Sequence, residues 1–265
     1  MSCHKRIDRA LKRAVRLPLT CHSRYVVISD CHRGEGSSND NFLNNQHLYY
    51  AALEHYMKRG FYYLELGDGE ELWENRHMER IKDCHSDVYE MLERFEKNCR
   101  AIRIYGNHNM ELKDSLPEAV ILENREGGRD ICMIHGHQAD LFNSVFWKLS
   151  RFLVRYLWKP LERSGVNDPT SAARNYRKTV RYEKCLEEWT VMHDTYLAAG
   201  HSHRPRLSGD EGLYMNAGSC VHPRCITAIE LENMEMTLVK WTMATRSDMT
   251  LYVAREVLEG PVSIK

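Results

Sequence analysis

The chain has 265 residues, enough to bury a sizeable core as one large domain or as a domain with an insertion, and too few for a multi-domain array. Its 37 Lys and Arg balance 37 Asp and Glu, so no global charge draws it toward nucleic acid or acidic membranes. Nine cysteines are scattered without a C-x-x-C pair or a zinc-finger spacing, which reads as reduced thiols in a cytoplasmic protein.

The first twenty residues are basic and lack the apolar segment of a secretory signal. Ile7, Leu11 and Val15, spaced at four, predict a short amphipathic helix, either packed on the domain or lying on a membrane surface. From Tyr25 onward short β-branched or aromatic runs alternate with helical patterns, the signature of an α/β arrangement. "YVVIS" is the first strand, "NNQHLYYAALEHYMKRG" a helix stopped by Gly60, and "FYYLEL" at 61–66 the next strand. A helix over 79–98 precedes strands "AIRIY" at 101–105, "AVILE" at 119–123 and "ICMI" at 131–134. Between 141 and 195 helical segments follow one another around "GVNDPTS", which predicts a helical cap inserted in a single domain. Short strands return around "LYMNAGSCV", "ITAIEL", "MTLVKW" and "MTLYVAREV". No stretch approaches the ~20 apolar residues of a membrane span.

Five apolar runs end on residues of metal-ligand type: "YVVIS" on Asp30 and His32, "FYYLEL" on Asp68, "AIRIY" on Asn107, "ICMI" on His135, and "YLAA" on His201 and His203. Carboxyl ends of strands line the ligand crevice of open α/β sheets, because loops there carry polar groups while the strands stay buried. The seven residues are therefore expected to converge although they are distant in sequence. Carboxylate, imidazole and amide without thiolate suit Mn²⁺, Fe²⁺ or Zn²⁺. Seven ligands suit two ions sharing one carboxylate, the usual device for displacement at phosphorus. Each motif alone is more often a turn or a surface histidine; their joint appearance in order is what carries the reading. His4, His22, His47, His55, His77 and His85 lack that context and are expected at the surface.

These motifs resemble the calcineurin-like metallophosphoesterases, whose pattern is D-x-H, G-D-x-x-[DE], G-N-H-[DE], an isolated H, and G-H-x-H. The resemblance covers about residues 24–140 and 196–242, and "MNAGS" at 215–219 is similar to the strand that follows the last motif. It implies a four-layer αββα sandwich of two mixed sheets flanked by helices, to which the helical cap read from the pattern would be added. Carried over, it implies one ion on Asp30, His32 and His203, a bridge at Asp68, and a second ion on Asn107, His135 and His201, with manganese the first expectation. His108 would contact the phosphate and protonate the leaving group. Asn109 departs from the pattern, and an amide there would leave His108 a weaker acid.

"GDGEELWE", the helical insertion and "GHSHRP" look most like the UDP-2,3-diacylglucosamine hydrolase branch, which cleaves a pyrophosphate in a nucleotide-linked lipid. Aromatic and aliphatic residues from Phe146 to Trp158 interleave with Lys148, Arg151, Arg155 and Lys159, a pattern for covering acyl chains or meeting the inner membrane face, or for a packed cap helix with its cations outward. "GNHN" and the loop "CHRGEGSSNDNF" are unlike that branch. Arg33, Asn109, Arg204 and the basic stretch 174–184 are candidates for substrate contacts. A phosphomonoesterase is the alternative. A nuclease fits the neutral charge less well, and a non-catalytic scaffold would have lost ligands that this sequence retains.

Overall fold

The computed structural model describes residues 2–37, 40–158, 176–207 and 212–264. In chain order it places α1 (Cys3–Leu11), β1 (Val15–Leu19), β2 (Arg24–Ile28), α2 (Gln46–Lys58), β3 (Tyr62–Leu66), α3 (Met78–Cys84), α4 (Ser86–Lys97), β4 (Ala101–Ile104), β5 (Ala119–Asn124) and β6 (Ile131–Ile134). There follow α5 (Leu141–Ser144), α6 (Trp147–Leu153) continued by a π-helical turn (Val154–Trp158), α7 (Tyr176–His193), β7 (Tyr196–Ala199), β8 (Tyr214–Asn216), β9 (Cys225–Glu232), β10 (Glu235–Thr245) and β11 (Leu251–Ser263).

The strands form two sheets, ordered β1-β5-β6-β7-β8 and β11-β10-β9-β2-β3-β4. Both are mixed: β2-β3-β4 and β6-β7-β8 run parallel, while β9, β10 and β11 are antiparallel neighbours. Period-two alternation builds the layers. Val27, Leu64, Val120, Leu122 and Met133 meet between the sheets. Val26 and Ile28 face the other way, onto Leu53 and Tyr56 of α2 and Val88, Leu92 and Phe95 of α4. Ile121 and Ile134 face Ile7 and Ala10 of α1 and Tyr182, Leu186 and Trp189 of α7. Helix, sheet, sheet, helix is the expected sandwich.

Three local expectations change. Val15 does not extend the first helix but opens β1, a parallel edge strand on β5 in which Pro18 is tolerated because an edge strand need not donate on both sides. Helix α1 packs on the domain through Ile7 and Ala10, and Arg6 donates to the carbonyls of Gln138 and Ala139. The helix expected over 79–98 breaks at His85, which is fully buried rather than at the surface and bonds Asp40 Oδ2 at 2.9 Å and Gln46 Oε1 at 2.8 Å. Cys3 of α1 and Cys185 of α7 form a disulfide, so not all nine cysteines are free thiols; the other seven are.

Within the segment expected as a cap, α7 lies on the outer face of the β6-β7 sheet. "GVNDPTS", Lys159 and the first residues of the basic stretch 174–184 lie outside the described residues. No helix among the described residues is long and apolar enough to cross a membrane.

Candidate metal centre

All seven predicted ligands sit just past the carboxyl ends of β2, β3, β4, β6 and β7, on the same edge of the sandwich. The parallel ladder continues into these loops, with Asp30 N donating to Gly67 O at 3.2 Å, His32 N to Asp68 O at 2.8 Å, and Gly200 N to His135 O at 2.8 Å. Asp30, His32, Asp68, His201 and His203 all have φ between 49° and 66°, the left-handed region that costs a non-glycine residue about 1 kcal/mol or more. The loops also pass close to one another. A Cβ at Gly200 would stand 1.9 Å from Ser29 Oγ, and one at Gly106 would stand 2.2 Å from Asp68 Oδ1. Glycine is required at both by contact across the site.

Two clusters result, one of Asp30, His32 and His203 and one of Asp68, His135 and His201. Each aspartate is anchored by one oxygen and offers the other. Asp30 Oδ2 accepts from Ser29 Oγ at 2.5 Å and His201 N at 2.8 Å, while Asp68 Oδ1 accepts from His108 N at 2.8 Å. Asp30 Oδ1 lies 3.1 Å from His203 Nε2 and 3.7 Å from His32 Nε2. Asp68 Oδ2 lies 3.1 Å from His135 Nε2 and 3.8 Å from His32 Nε2, which places it between the clusters. Asn107 Oδ1 is 3.2 Å from His135 Nε2, so it joins the second group. His201 Nε2 stands 3.4 Å from Asn143 Nδ2 and 3.9 Å from Asp140 Oδ2.

The donor set fits divalent cations on a structural ground. Asp30 Oδ1 is buried and takes no hydrogen bond, a loss of about 1–3 kcal/mol unless a cation satisfies it. His32 Nε2 and His203 Nε2 face each other at 3.3 Å, an approach natural to two nitrogens converging on one ion. His135 Nδ1 donates to Leu66 O at 2.7 Å, which leaves its Nε2 as a lone-pair donor to the site. Burial pushes both aspartates up, but the surrounding imidazoles outweigh it and hold them ionised, well below the usual carboxylate range.

His108 is seated by residues that sequence reasoning left without a role. Glu71 bonds His108 Nδ1 at 2.8 Å and His32 Nδ1 at 2.8 Å. Trp73 stacks on the His108 ring, centroids 4.3 Å apart and planes 22° apart. Burial pushes the His108 imidazole down, yet Glu71 and Asp68 outweigh it and raise its pKa. The expectation of a weakened acid is thereby corrected: the carboxylate partner comes from Glu71, not from position 109. The available signal was the spacing of Asp68 and Glu71 in G-D-x-x-[DE].

Two of the three single residues expected at the substrate lie elsewhere. Asn109 is fully buried, accepting from Gly106 N at 2.6 Å and donating to Glu70 Oε2 at 3.0 Å, so it shapes the loop instead. Arg33 is also fully buried, on Glu65 at 2.9 Å and Glu70 at 3.1 Å, because its side chain turns under the loop and not toward the two clusters. Arg204 is exposed beside His203, with Glu183 at 3.3 Å.

The sequence profile of the calcineurin-like phosphoesterase superfamily domain matches residues 24–234. No curated protein matches the chain. Among solved structures, Vps29 of Chaetomium thermophilum is similar at 14% identity and a TM-score of 0.46, over 90% of this chain and 97% of that one. A hypothetical protein of Thermus thermophilus is similar at 10% identity and a TM-score of 0.32, over 90% of this chain and 100% of that one.

Proposed function

The chain belongs to the calcineurin-like phosphoesterase superfamily, and from that premise we propose that it hydrolyses phosphate esters at a dinuclear centre, with His108 as proton donor to the leaving group. The observation that carries this is the pair of imidazole-carboxylate clusters meeting at Asp68 Oδ2, with the Glu71-His108 pair beside them. Asp30, His32 and His203 would hold one ion and Asn107, His135 and His201 the other, with Asp68 shared. Divalent ions there, manganese first among them, supply positive charge to the phosphoryl oxygens and acidify the attacking water. The chain's own residues do the rest. Glu71 fixes Nδ1 of His108 and leaves Nε2 to face the substrate; as water adds to phosphorus and the phosphorus-oxygen bond breaks, the Nε2 proton passes to the departing oxygen. A charged imidazolium beside a carboxylate favours unactivated alkoxide leaving groups, as in phosphomonoesters and diesters.

A second reading, a pyrophosphate in a nucleotide-linked lipid such as UDP-diacylglucosamine, is favoured by one observation. Val145, Leu149, Phe152 and Tyr156 of the α6 region are more than half exposed, an apolar stripe next to the site. On this reading the protein is cytoplasmic with peripheral contact at the inner membrane face, and Arg204 meets a further phosphate. UMP release from UDP-diacylglucosamine is its test.

For the main reading, elemental analysis should find close to two metals per chain, and Mn²⁺-supplemented protein should hydrolyse p-nitrophenyl phosphate or its bis ester. Absence of metal after reconstitution would overturn the reading.

A further inference from the structure

Two cations of the α6 region, Arg151 and Arg155, do not point outward, whereas Lys148 is exposed. Arg151 pairs with Glu111, just after the His108 loop, and Arg76 Nη2 donates to Tyr156 OH at 3.1 Å, just after Trp73. Between these ties Arg155 reaches into the turn that carries Glu71 and Trp73. Its Nη2 donates to Leu72 O at 2.6 Å and Asn75 O at 3.4 Å, and its Nε to Trp73 O at 2.8 Å. Three carbonyls thus converge on one guanidinium, whose planar fork can span them where an ammonium cannot. The turn is closed from below by Asn75, whose backbone N and Nδ2 both donate to Glu71 O at 3.1 and 2.8 Å. Leu72 N donates to His108 O at 3.2 Å, so the turn and the His108 loop move together.

We propose that Arg155 is a positioning residue: it straps the 71–75 turn so that the Glu71 carboxylate and the Trp73 ring hold His108 in line with the leaving group, which makes the insertion between β6 and β7 part of the catalytic apparatus. This rests on the reading of His108 as proton donor. The strap touches neither metal cluster directly, but Glu71 also backs His32 Nδ1, so loss of the strap is read at saturating Mn²⁺, where the effect falls on leaving-group departure.

The test compares Arg155→Ala and Arg155→Lys with wild type on p-nitrophenyl phosphate and on an alkyl phosphate, under saturating Mn²⁺, with Lys148→Ala as a control on the same helix. The expected result is a kcat lower by roughly tenfold or more on the alkyl ester, a much smaller change on the nitrophenyl ester, and partial rescue of Arg155→Ala, not of Lys148→Ala, by millimolar guanidinium. Equal losses on both esters without rescue, or no loss on either, would overturn the proposal. Hydrogen exchange provides a second measurement: amides 71–75 should lose protection in Arg155→Ala and keep it in Lys148→Ala, and unchanged protection refutes the strap whatever the activity. Wild-type protein inert on both esters would sink the hydrolase reading, while exchange still decides the strap.

Discussion

Arg33→Met separates a buried structural cation from a substrate ligand. Arg33 and Arg103 face Glu65 and Glu70 in a cluster of two cations and two anions, buried except for the edge of Arg103 and closed by the hydroxyls of Tyr63 and Tyr89 and by Asn109. Methionine preserves much of the stem's packing and deletes the charge, so two carboxylates are left with one arginine and the cluster goes from neutral to one net negative. Breaking a buried pair in this way costs about 3–5 kcal/mol, a large share of the ~5–15 kcal/mol that holds a domain together. With a urea slope of about 3 kcal/mol per M, the midpoint of the metal-free protein falls by roughly 1 M or more. The double variant Arg33→Met with Glu70→Gln restores neutrality and keeps an acceptor for Tyr89, so it should recover much of the loss. An unchanged urea midpoint together with a raised KM would refute this reasoning and return Arg33 to the substrate.

Glu71→Gln should cut kcat on alkyl phosphates by about 10²–10⁴ at saturating metal and much less on nitrophenyl esters. It should also weaken metal binding by about 10–100-fold, because His32 loses the carboxylate behind its Nδ1; an equal fall on both ester classes at saturating metal would contradict the assignment. Glu70 should make metal-free stability acid-sensitive. Burial pushes its carboxyl up, but Arg103 and Arg33 outweigh it and hold it at about 2, against about 4.3 in an unfolded chain. A depressed folded pKa stabilises fully above the unfolded value and is lost as pH falls from about 4.3 to 2, a contribution of ~3 kcal/mol. Urea titrations across that range should be flatter in Glu70→Gln, and a variant with the wild-type slope would remove Glu70 from the account.

What could be read in the sequence was whatever repeats along a strand. The runs ending at Ile28, Leu66, Ile134 and Ala199 stay largely apolar because they are buried on both faces, the edge run ending at Ile104 is only partly buried, and each stops where its loop must turn toward a shared edge. Convergence of Asp30, His32, Asp68, Asn107, His135, His201 and His203 followed from that topology. The direction in which a side chain leaves a loop is a different kind of information. Arg33 and Asn109 stand one or two residues from a ligand and point away from the site, whereas Glu71 and Trp73 stand three and five residues past Asp68 and point into it. Pattern cannot distinguish a guanidinium facing a phosphate from one facing Glu65, because the partner lies 32 residues on. The same blindness applies to the α6 region, where Arg151 and Arg155 turn to Glu111 and to the carbonyls of Leu72 and Trp73 while Lys148 stays exposed.

The site concentrates costs that ordinary folding would avoid. Five of the seven ligands hold positive φ, Asp30 Oδ1 is buried without a donor, and the His32 and His203 nitrogens crowd to 3.3 Å. None of this helps to close the sandwich, whose three apolar layers pack without the site residues. The fold therefore maintains a frame of carboxylate and imidazole donors at the expense of its own stability, and cations that satisfy those donors must return part of it by mass action. Metal binding and unfolding are therefore expected to be linked. Loss of the Asp68 carboxylate should remove most of the stabilisation that Mn²⁺ confers, because that oxygen serves both clusters, whereas loss of His108 should leave it intact. Thermal melts of Asp68→Ala and His108→Ala with and without Mn²⁺ check this, and an equal Mn²⁺ shift in both variants would refute it. The comparison divides the residues that hold the centre from those that use it without requiring a known substrate.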